Sequence, residues 1–484
     1  MLRRVVLAIS LAAAPAAGQG LSTDSASRWI DSVFAPYSAR QAPGCAVGVS
    51  RNGSLVFAKG YGSADLEHDV PITPSTPFYI ASVSKQFTAM SIVLLAEDGR
   101  LSLDDSIRHW VPEVPSFGSP ITLRQLLYHT SGLRDYFTLL ALSGWPSDGP
   151  LTERQFLDLI SRQKHLNFTP GEEFLYSNTG YALLAIVVQR VSGKSLRDYA
   201  AEHIFRPLGM TRTEFRDDHH RLIAQRAIGY QPVDGSFRIS QPEFDIVGDG
   251  GLYSTVDDLA KWEANFRTGR VGGKGGVALL QEPGRLSNGQ TIPYALGLTV
   301  TQTRGLKTYA HRGAYGGYRS AMVRFPEQGL SVVTLCNTAA AASSLADEVS
   351  MLFLGIQPQK SAAATTLDLS LNQWSGGAAQ APADSTGSRR RTDFLAQAAG
   401  AYRSDELELT VTLVARDGVL VLQRGIAPEI RFVALSDDWF TNSDQMLLRV
   451  MRDARGAVRG FTLSIGRVRD LVFDRATDPD KPRS

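Results

Sequence analysis

Phe78-Tyr79-Ile80-Ala81-Ser82-Val83-Ser84-Lys85 leads directly into the apolar run Phe87 to Ala96, which stops at Glu97-Asp98-Gly99. The run is apolar nearly all round, the pattern of a helix buried in a domain core. Ser82 and Lys85, three residues apart on its first turn, then share one face. The positive end of the helix dipole and partial desolvation both disfavour an ammonium there, so Lys85 can be neutral often enough to take the Ser82 proton. That is how a weak hydroxyl becomes a nucleophile. The competing reading makes Ser82 a helix cap and Lys85 a solvated first-turn residue. Four letters do not decide between the two. A second pair, Ser161 and Lys164, lies in a polar stretch with no apolar helix behind it and reads as a surface coincidence.

Two further elements turn the pair into a constellation. Tyr176-Ser177-Asn178 sits just before a helical run from Tyr181, after the turn Thr169-Pro170-Gly171. A loop at a helix start can hold a phenol and a carboxamide towards one cleft, with Tyr176 relaying protons to the leaving group and Asn178 binding a substrate amide. Read alone, Asn178 is a helix cap and Tyr176 a core aromatic. His311-Arg312-Gly313 opens a Gly-rich stretch before the strand-like run Tyr318 to Phe325. Gly313 would let a substrate lie against the strand edge, where the amides of Ala314 and Ser82 make a pair of oxyanion donors. Read alone, it is a turn with an exposed histidine. Lys274-Gly275-Gly276 competes with it but falls in what reads as a flexible Gly-rich loop.

Around these motifs the chain alternates between signals for strands and for helices. Residues 22–39 read as a helix; Cys45 to Ser50 and Ser54 to Lys59 read as strands joined by an Asn52-Gly53 hairpin turn. Helical runs fill the middle, among them Leu123 to Tyr128, Tyr181 to Val191 and Val256 to Phe266. Strands return at Ala295 to Val300, Tyr318 to Phe325 and Leu330 to Cys336. Strands at both ends with helices between predict an α+β domain whose sheet is completed by distant parts of the chain.

That domain is expected over 22–356. From 357 to 393 the composition shifts to Ala, Ser, Thr, Gln and Gly, which predicts a linker. Beyond it, over 394–475, alternation such as Leu407-Glu408-Leu409-Thr410-Val411-Thr412-Leu413 and recurrent turns predict a small antiparallel β barrel or sandwich with no long helix. At the other end, Arg3 and Arg4 precede the apolar stretch Val5 to Ala14 and the small residues Pro15-Ala16-Ala17-Gly18. This predicts a signal peptide over 1–18, hence a periplasmic or secreted protein. No later run approaches the roughly 20 apolar residues of a membrane-spanning helix, so no transmembrane segment is expected.

Composition narrows the function. Hydrophobic residues make up 43% and charged residues 20% of the 484, which excludes general disorder. Fifty basic against 48 acidic side chains leave +2, and the one basic run, Arg389-Arg390-Arg391, lies in the polar linker, so no nucleic-acid partner is expected. Two cysteines, Cys45 and Cys336, exclude a disulfide scaffold and a cysteine metal site, leaving one bridge or two free thiols open. There is no His-Glu-x-x-His, and Asp217-Asp218-His219-His220 reads as a solvated loop, so neither metal nor cofactor is expected. An α/β-hydrolase is disfavoured by the lack of Gly-x-Ser-x-Gly.

The order Ser-x-x-Lys, Tyr-x-Asn, His-x-Gly resembles the serine β-lactamase and penicillin-binding superfamily, in particular the branch of class C β-lactamases, DD-peptidases, D-aminopeptidases and related esterases. Leu126-Leu127-Tyr128-His129-Thr130-Ser131-Gly132-Leu133 and Gly250-Gly251-Leu252-Tyr253-Ser254-Thr255-Val256-Asp257-Asp258-Leu259 add to the resemblance, which covers about 40–355. Their small residues read as loop-shaping. The resemblance implies a β-lactamase/transpeptidase-like fold, an antiparallel sheet flanked by helices beside an all-helical part. It also makes the strands near Cys45 and Cys336 antiparallel neighbours, and Phe394 to Arg475 a lipocalin-like module. Ser82, Lys85, Tyr176 and His311 would be catalytic; Asn178, Arg312, Gly313 and Ala314 would bind substrate. Where the family most often has Lys-Thr-Gly, Arg312 replaces the small hydroxyl residue, which weakens the case for β-lactam turnover. The expected activity is an exported serine hydrolase forming an acyl-enzyme on Ser82. Its substrate would be a D-amino acid peptide or amide, cell-wall-derived ones included, or a small ester. A β-lactamase and a catalytically inactive penicillin-binding-like envelope protein are the alternatives.

Overall fold

Asn52 and Gly53 take φ of 53° and 83°, the left-handed backbone that a tight turn between twisted antiparallel strands needs. They join the strands Cys45–Arg51 and Ser54–Tyr61. The computed structural model describes residues 23–146, 149–356 and 391–476. The expected signal peptide and residues 357–390 of the expected linker lie outside the described residues.

The hairpin ends a six-stranded antiparallel sheet in the order Thr299–Thr303, Leu306–Tyr315, Tyr318–Phe325, Leu330–Cys336, Cys45–Arg51, Ser54–Tyr61. Distant parts of the chain therefore complete it, as the β-lactamase-like α+β fold requires. Cys45 stands opposite Cys336 in the register, and their sulfurs are bonded. Successive strand residues point to opposite faces. Val47, Val49 and Val332 pack with Ile30 and Phe34 of the helix Thr23–Phe34 and with Val349 of Ala342–Leu354. Ala46, Val333 and Leu335 face the other core, with Val256 and Leu259. The helix Val256–Thr268 lies so close to the sheet that a Cβ on Gly48 would stand 2.3 Å from Val256 Cγ1.

Three boundaries differ from the sequence reading. The first helix gives way to a 3-10 turn at Ala35–Tyr37, where Pro36 opens a new turn. The strand expected from Ala295 starts only at Thr299, because Gly297 (φ 77°) turns the chain against the helix Lys85–Glu97, where a Cβ would stand 2.6 Å from Gln86 N. The stretch around His311 is no turn: it lies inside the ten-residue strand Leu306–Tyr315, whose first half pairs with Thr299–Thr303 as far as Ala310 and whose residues from Tyr309 to Tyr315 pair with the strand Tyr318–Phe325. Its Lys307, Arg312 and Gly313 hide the strand pattern, and tertiary pairing overrides that local weakness.

In the helical part, Lys85–Glu97 buries every residue from Lys85 to Val93. Phe87 meets Phe205 and Trp262 with ring centroids 5.5 and 4.6 Å away. Such fully buried aromatics each contribute on the order of 2–3 kcal/mol by leaving water. After a helix at Arg391–Ala398, eight strands from Gly400–Ser404 to Val468–Arg475 form a closed antiparallel barrel in chain order. Closure removes both sheet edges, and Tyr402, Phe461 and Phe473 stack inside.

The barrel is docked on the helical part through polar contacts. Arg134 and Glu406 form a buried ion pair at 2.6 Å, with side chains 1% and 3% exposed. Arg134 also donates to the carbonyls of Arg469 and Asp470. Asn167 donates to Arg467 O at 2.9 Å and accepts from Arg469 N at 2.8 Å.

Candidate active site

Ser82 lies in a 3-10 turn, Ala81–Ser84, and the α-helix begins at Lys85. Ser82 therefore stands one turn ahead of the helix rather than on it. Ala81 is held at φ 47°, a conformation that costs a residue with a side chain roughly 1–2 kcal/mol. The turn is strapped on all sides against that strain. Ile80 N donates to Leu252 O at 2.9 Å, Ser320 Oγ to Ile80 O at 2.7 Å, and Ser84 Oγ to Ala81 O. The strand Leu306–Tyr315 passes so near that a Cβ on Gly313 would stand 2.2 Å from Ile80 O and 2.3 Å from Ser320 Oγ. Gly313 is thus required for strand and turn to touch.

Lys85 has no exposed surface. Its Nζ lies 3.1 Å from Ser82 Oγ, 2.9 Å from Asn178 Oδ1 and 2.6 Å from Asp249 O. Burial pushes its pKa well below the ordinary lysine range; the nearby carboxylates of Asp249 and Asp135 oppose this, and the Arg467 guanidinium adds to it. The same burial pushes the Asp249 carboxyl up, while Lys85 and the Tyr136 hydroxyl draw it down. Asn178 opens the helix Asn178–Ser192. Its Nδ2 donates to Asp135 Oδ2 at 2.9 Å and its backbone N to the same oxygen at 2.7 Å. This fixes the carboxamide so that its oxygen faces Lys85, and leaves one N–H for a ligand.

The Tyr176 ring carries Lys85 Nζ 4.9 Å and the Arg467 guanidinium 4.6 Å from its centroid. Its buried hydroxyl closes no hydrogen bond of good geometry within the protein. Burial raises its pKa, and the Ser82 hydroxyl draws it partly back. Behind it, His129 packs ring to ring at 4.2 Å, with Nδ1 accepting from Ser177 N at 3.1 Å. His311 is set back from the cleft. Its Nδ1 lies 2.8 Å from Arg312 O, so that nitrogen carries the proton; Nε2 then accepts from Tyr294 OH at 3.1 Å. Burial pushes its pKa down to about 3, which keeps it neutral.

Ser82, Tyr176, Asn178, Arg312, Gly313 and Ala314 all line one cleft of about 650 Å³. Of the expected site, Lys85 and His311 are the two that stand behind the wall. The competing motifs lie elsewhere. Ser161 donates to Asp158 O on the surface, and Lys164 pairs with Asp405 of the barrel. Lys274 is exposed on the short helix Gly273–Leu279, where a loop was expected. Sequence reasoning left out Asp135, Asp249, His129 and Arg467. Asp135 caps the helix Tyr136–Ser143 by accepting from Thr138 N, which is a legible signal of structure but not of a site. Arg467 is the tip of the hairpin between the strands Val458–Ile465 and Val468–Arg475, 382 positions after Lys85 by number, and nothing local marks it.

A hydroxyl beside a buried, deprotonation-prone amine and near an aromatic hydroxyl, on the wall of an open cleft, can be acylated and deacylated. Comparison with known proteins agrees with that chemistry. The Beta-lactamase family profile matches residues 30–352. A D-aminopeptidase of Gluconobacter oxydans (strain 621H) is 31% identical over 345 residues, 70% of this chain and 65% of that protein. The chain thus spans just under two thirds of that relative's length. The solved penicillin-binding protein homologue from Pyrococcus abyssi has a TM-score of 0.61 at 26% identity, covering 94% of this chain and 100% of that one. The D-amino acid amidase from Ochrobactrum anthropi SV3 has a TM-score of 0.55 at 26% identity, over 68% of this chain and 97% of that one. With the matched profile spanning the sheet, the nucleophile turn and the helical part, this chain belongs to the beta-lactamase family of serine hydrolases.

Proposed function

We propose that the protein is an exported hydrolase that forms an acyl-enzyme on Ser82 and acts on a D-amino acid peptide or amide, or on a small ester. The observation that carries this reading is Lys85 Nζ at 3.1 Å from Ser82 Oγ, fully buried and held by two further acceptors. Ser82 Oγ attacks the substrate carbonyl and its proton passes to Lys85. Tyr176 hands a proton to the departing amine or alkoxide as the bond to the acyl carbon breaks. Water then attacks the ester on Ser82, loses its proton to the same groups, and releases the acid with the serine restored. The amides of Ser82 and Ala314 serve the oxyanion, and Arg312, on the cleft wall, bears on substrate choice.

The substrate class is supported by the D-aminopeptidase and D-amino acid amidase relatives. Export is supported by the basic and apolar opening of the sequence and by the Cys45–Cys336 bond, which suits an oxidising compartment. The test is a hydrolysis screen of the purified protein across D-amino acid amides, D-alanyl-D-alanine peptides, short-chain esters and a chromogenic cephalosporin. Turnover of a D-amide, peptide or ester, lost in Ser82→Ala at an unchanged melting temperature, is the expected result. Turnover of the cephalosporin alone would make it a β-lactamase, and wild-type rates in Ser82→Ala would refute the nucleophile.

A further inference from the structure

The cleft around Ser82 is not closed by the hydrolase domain alone. Its wall includes Arg467, a residue of the barrel. The barrel hairpin that carries it is anchored at the backbone: Arg467 O accepts from Asn167 Nδ2 at 2.9 Å and from Asp135 N at 3.3 Å. The side chain crosses to the Tyr176 ring, 4.6 Å from its centroid, and is 24% exposed towards the cleft. The Asp135 carboxylate is 3.7 Å away, too far for a full hydrogen bond, and its Oδ2 already takes two from Asn178. A guanidinium has five N–H donors in a planar fork suited to a carboxylate.

The rest of the wall has the same sign. Arg312 and Arg319 line the cleft with Arg467. The carboxylate among the lining residues is Asp249, which is 4% exposed and accepts from Tyr136 OH at 3.1 Å. A substrate ammonium placed beside Tyr176 would meet like charge, whereas a carboxylate there would gain a charge-assisted pair.

We infer that Arg467, supplied by the barrel, is a specificity-determining residue that selects substrates whose leaving group carries a carboxylate, that is, peptides ending in a free amino acid. The inference rests on the acyl-enzyme reading above, because Tyr176 serves the leaving group there and Arg467 lies on Tyr176. It departs from the D-aminopeptidase relatives, whose name points to a free amino end.

The experiment compares N-acetyl-D-alanyl-D-alanine with its C-terminal carboxamide, which differ in that one charge, by release of the second residue. In the wild type kcat/KM for the acid is expected to exceed that for the amide by about tenfold or more, the effect of one hydrogen-bonded charge pair. Arg467→Gln brings the ratio close to one and Arg467→Lys restores part of it. A ratio unchanged in Arg467→Gln overturns the inference, whether the two rates stay the same or fall together, since an equal fall means that Arg467 acts on Lys85 or Asp135. A wild-type ratio near or below one overturns it as well. Acylation of Ser82 by p-nitrophenyl acetate, read as a mass shift absent from Ser82→Ala, checks the hydrolase reading in the same preparation. Failure of that acylation takes both down; acylation with a flat acid-to-amide ratio removes the role of Arg467 alone.

Discussion

In the acyl-enzyme reading Lys85 acts as a base only while neutral, and its burial favours that form. The folded protein lowers its pKa, chiefly by burial. The active fraction therefore grows as pH rises through that lowered value and is complete before the ordinary lysine range of about 10. The pH profile of kcat/KM should accordingly reach its plateau well short of pH 10; a rate still climbing there would contradict a neutral Lys85. In the same reading Tyr176 shares the proton path, and Lys85 Nζ lies 4.9 Å from its ring centroid. Groups that act as one unit lose activity non-additively. Lys85→Ala, Tyr176→Phe and the double variant should all fall to a similar residual rate, and losses that multiply would separate the two. That Ser82, Lys85 and Tyr176 come together was legible because Ser-x-x-Lys before an apolar run and Tyr-x-Asn before a helix are local patterns. His129 was not: its value lies in the rings it touches, Tyr176, Tyr181 and Tyr294, none of which its sequence neighbours announce.

The contact between the strand Leu306–Tyr315 and the nucleophile turn decides the geometry at the next scale. Gly313 has no room for a methyl group against Ile80 O and Ser320 Oγ. Gly313→Ala must push the strand or the turn aside, and a misplacement near 1 Å costs on the order of 100-fold in rate. Steady-state kinetics of that variant should show a fall of this order, accompanied by a lower melting temperature; near-wild-type turnover would mean that the turn can shift freely. The sequence reading expected substrate to lie against this glycine; the structure places the glycine on the cleft wall and also presses it against Ile80 O and Ser320 Oγ. The strand itself was missed because His311, Arg312 and Gly313 spoil its alternation, while pairing with the strand Tyr318–Phe325 holds them in place.

A buried ion pair between Arg134 and Glu406 joins the barrel to the helical part. Removing the guanidinium in Arg134→Met leaves the buried Glu406 carboxylate without its ion partner, held by the Lys164 backbone N–H, and also frees the carbonyls of Arg469 and Asp470. Breaking such a pair on one side costs about 3–5 kcal/mol. Denaturant unfolding should show a loss of that size, with the barrel released first in limited proteolysis. A change below about 1 kcal/mol, the level of an exposed pair, would show that other contacts dock the barrel. Because the same segment carries Arg467, this variant should also lose its preference for the free acid over the amide.

Binary patterning alone determined the α+β class, the hairpin at Asn52-Gly53, the buried nucleophile helix and the all-β character of the last domain, because periods of two and of about 3.6 residues are properties of the chain itself. It left Cys45 and Cys336 either bridged or free; the register that sets them opposite each other and joins them belongs to the sheet. It left the last domain as a sandwich or a barrel, since both satisfy the same alternation, and the pairing of Tyr402 with Arg475 closes the barrel. It gave no hint of Asp135, Asp249 or Arg467 at the site. These side chains reach Lys85 and Tyr176 from loops and from a second domain, and their chemistry there comes from desolvation and from charges that only the folded chain brings together.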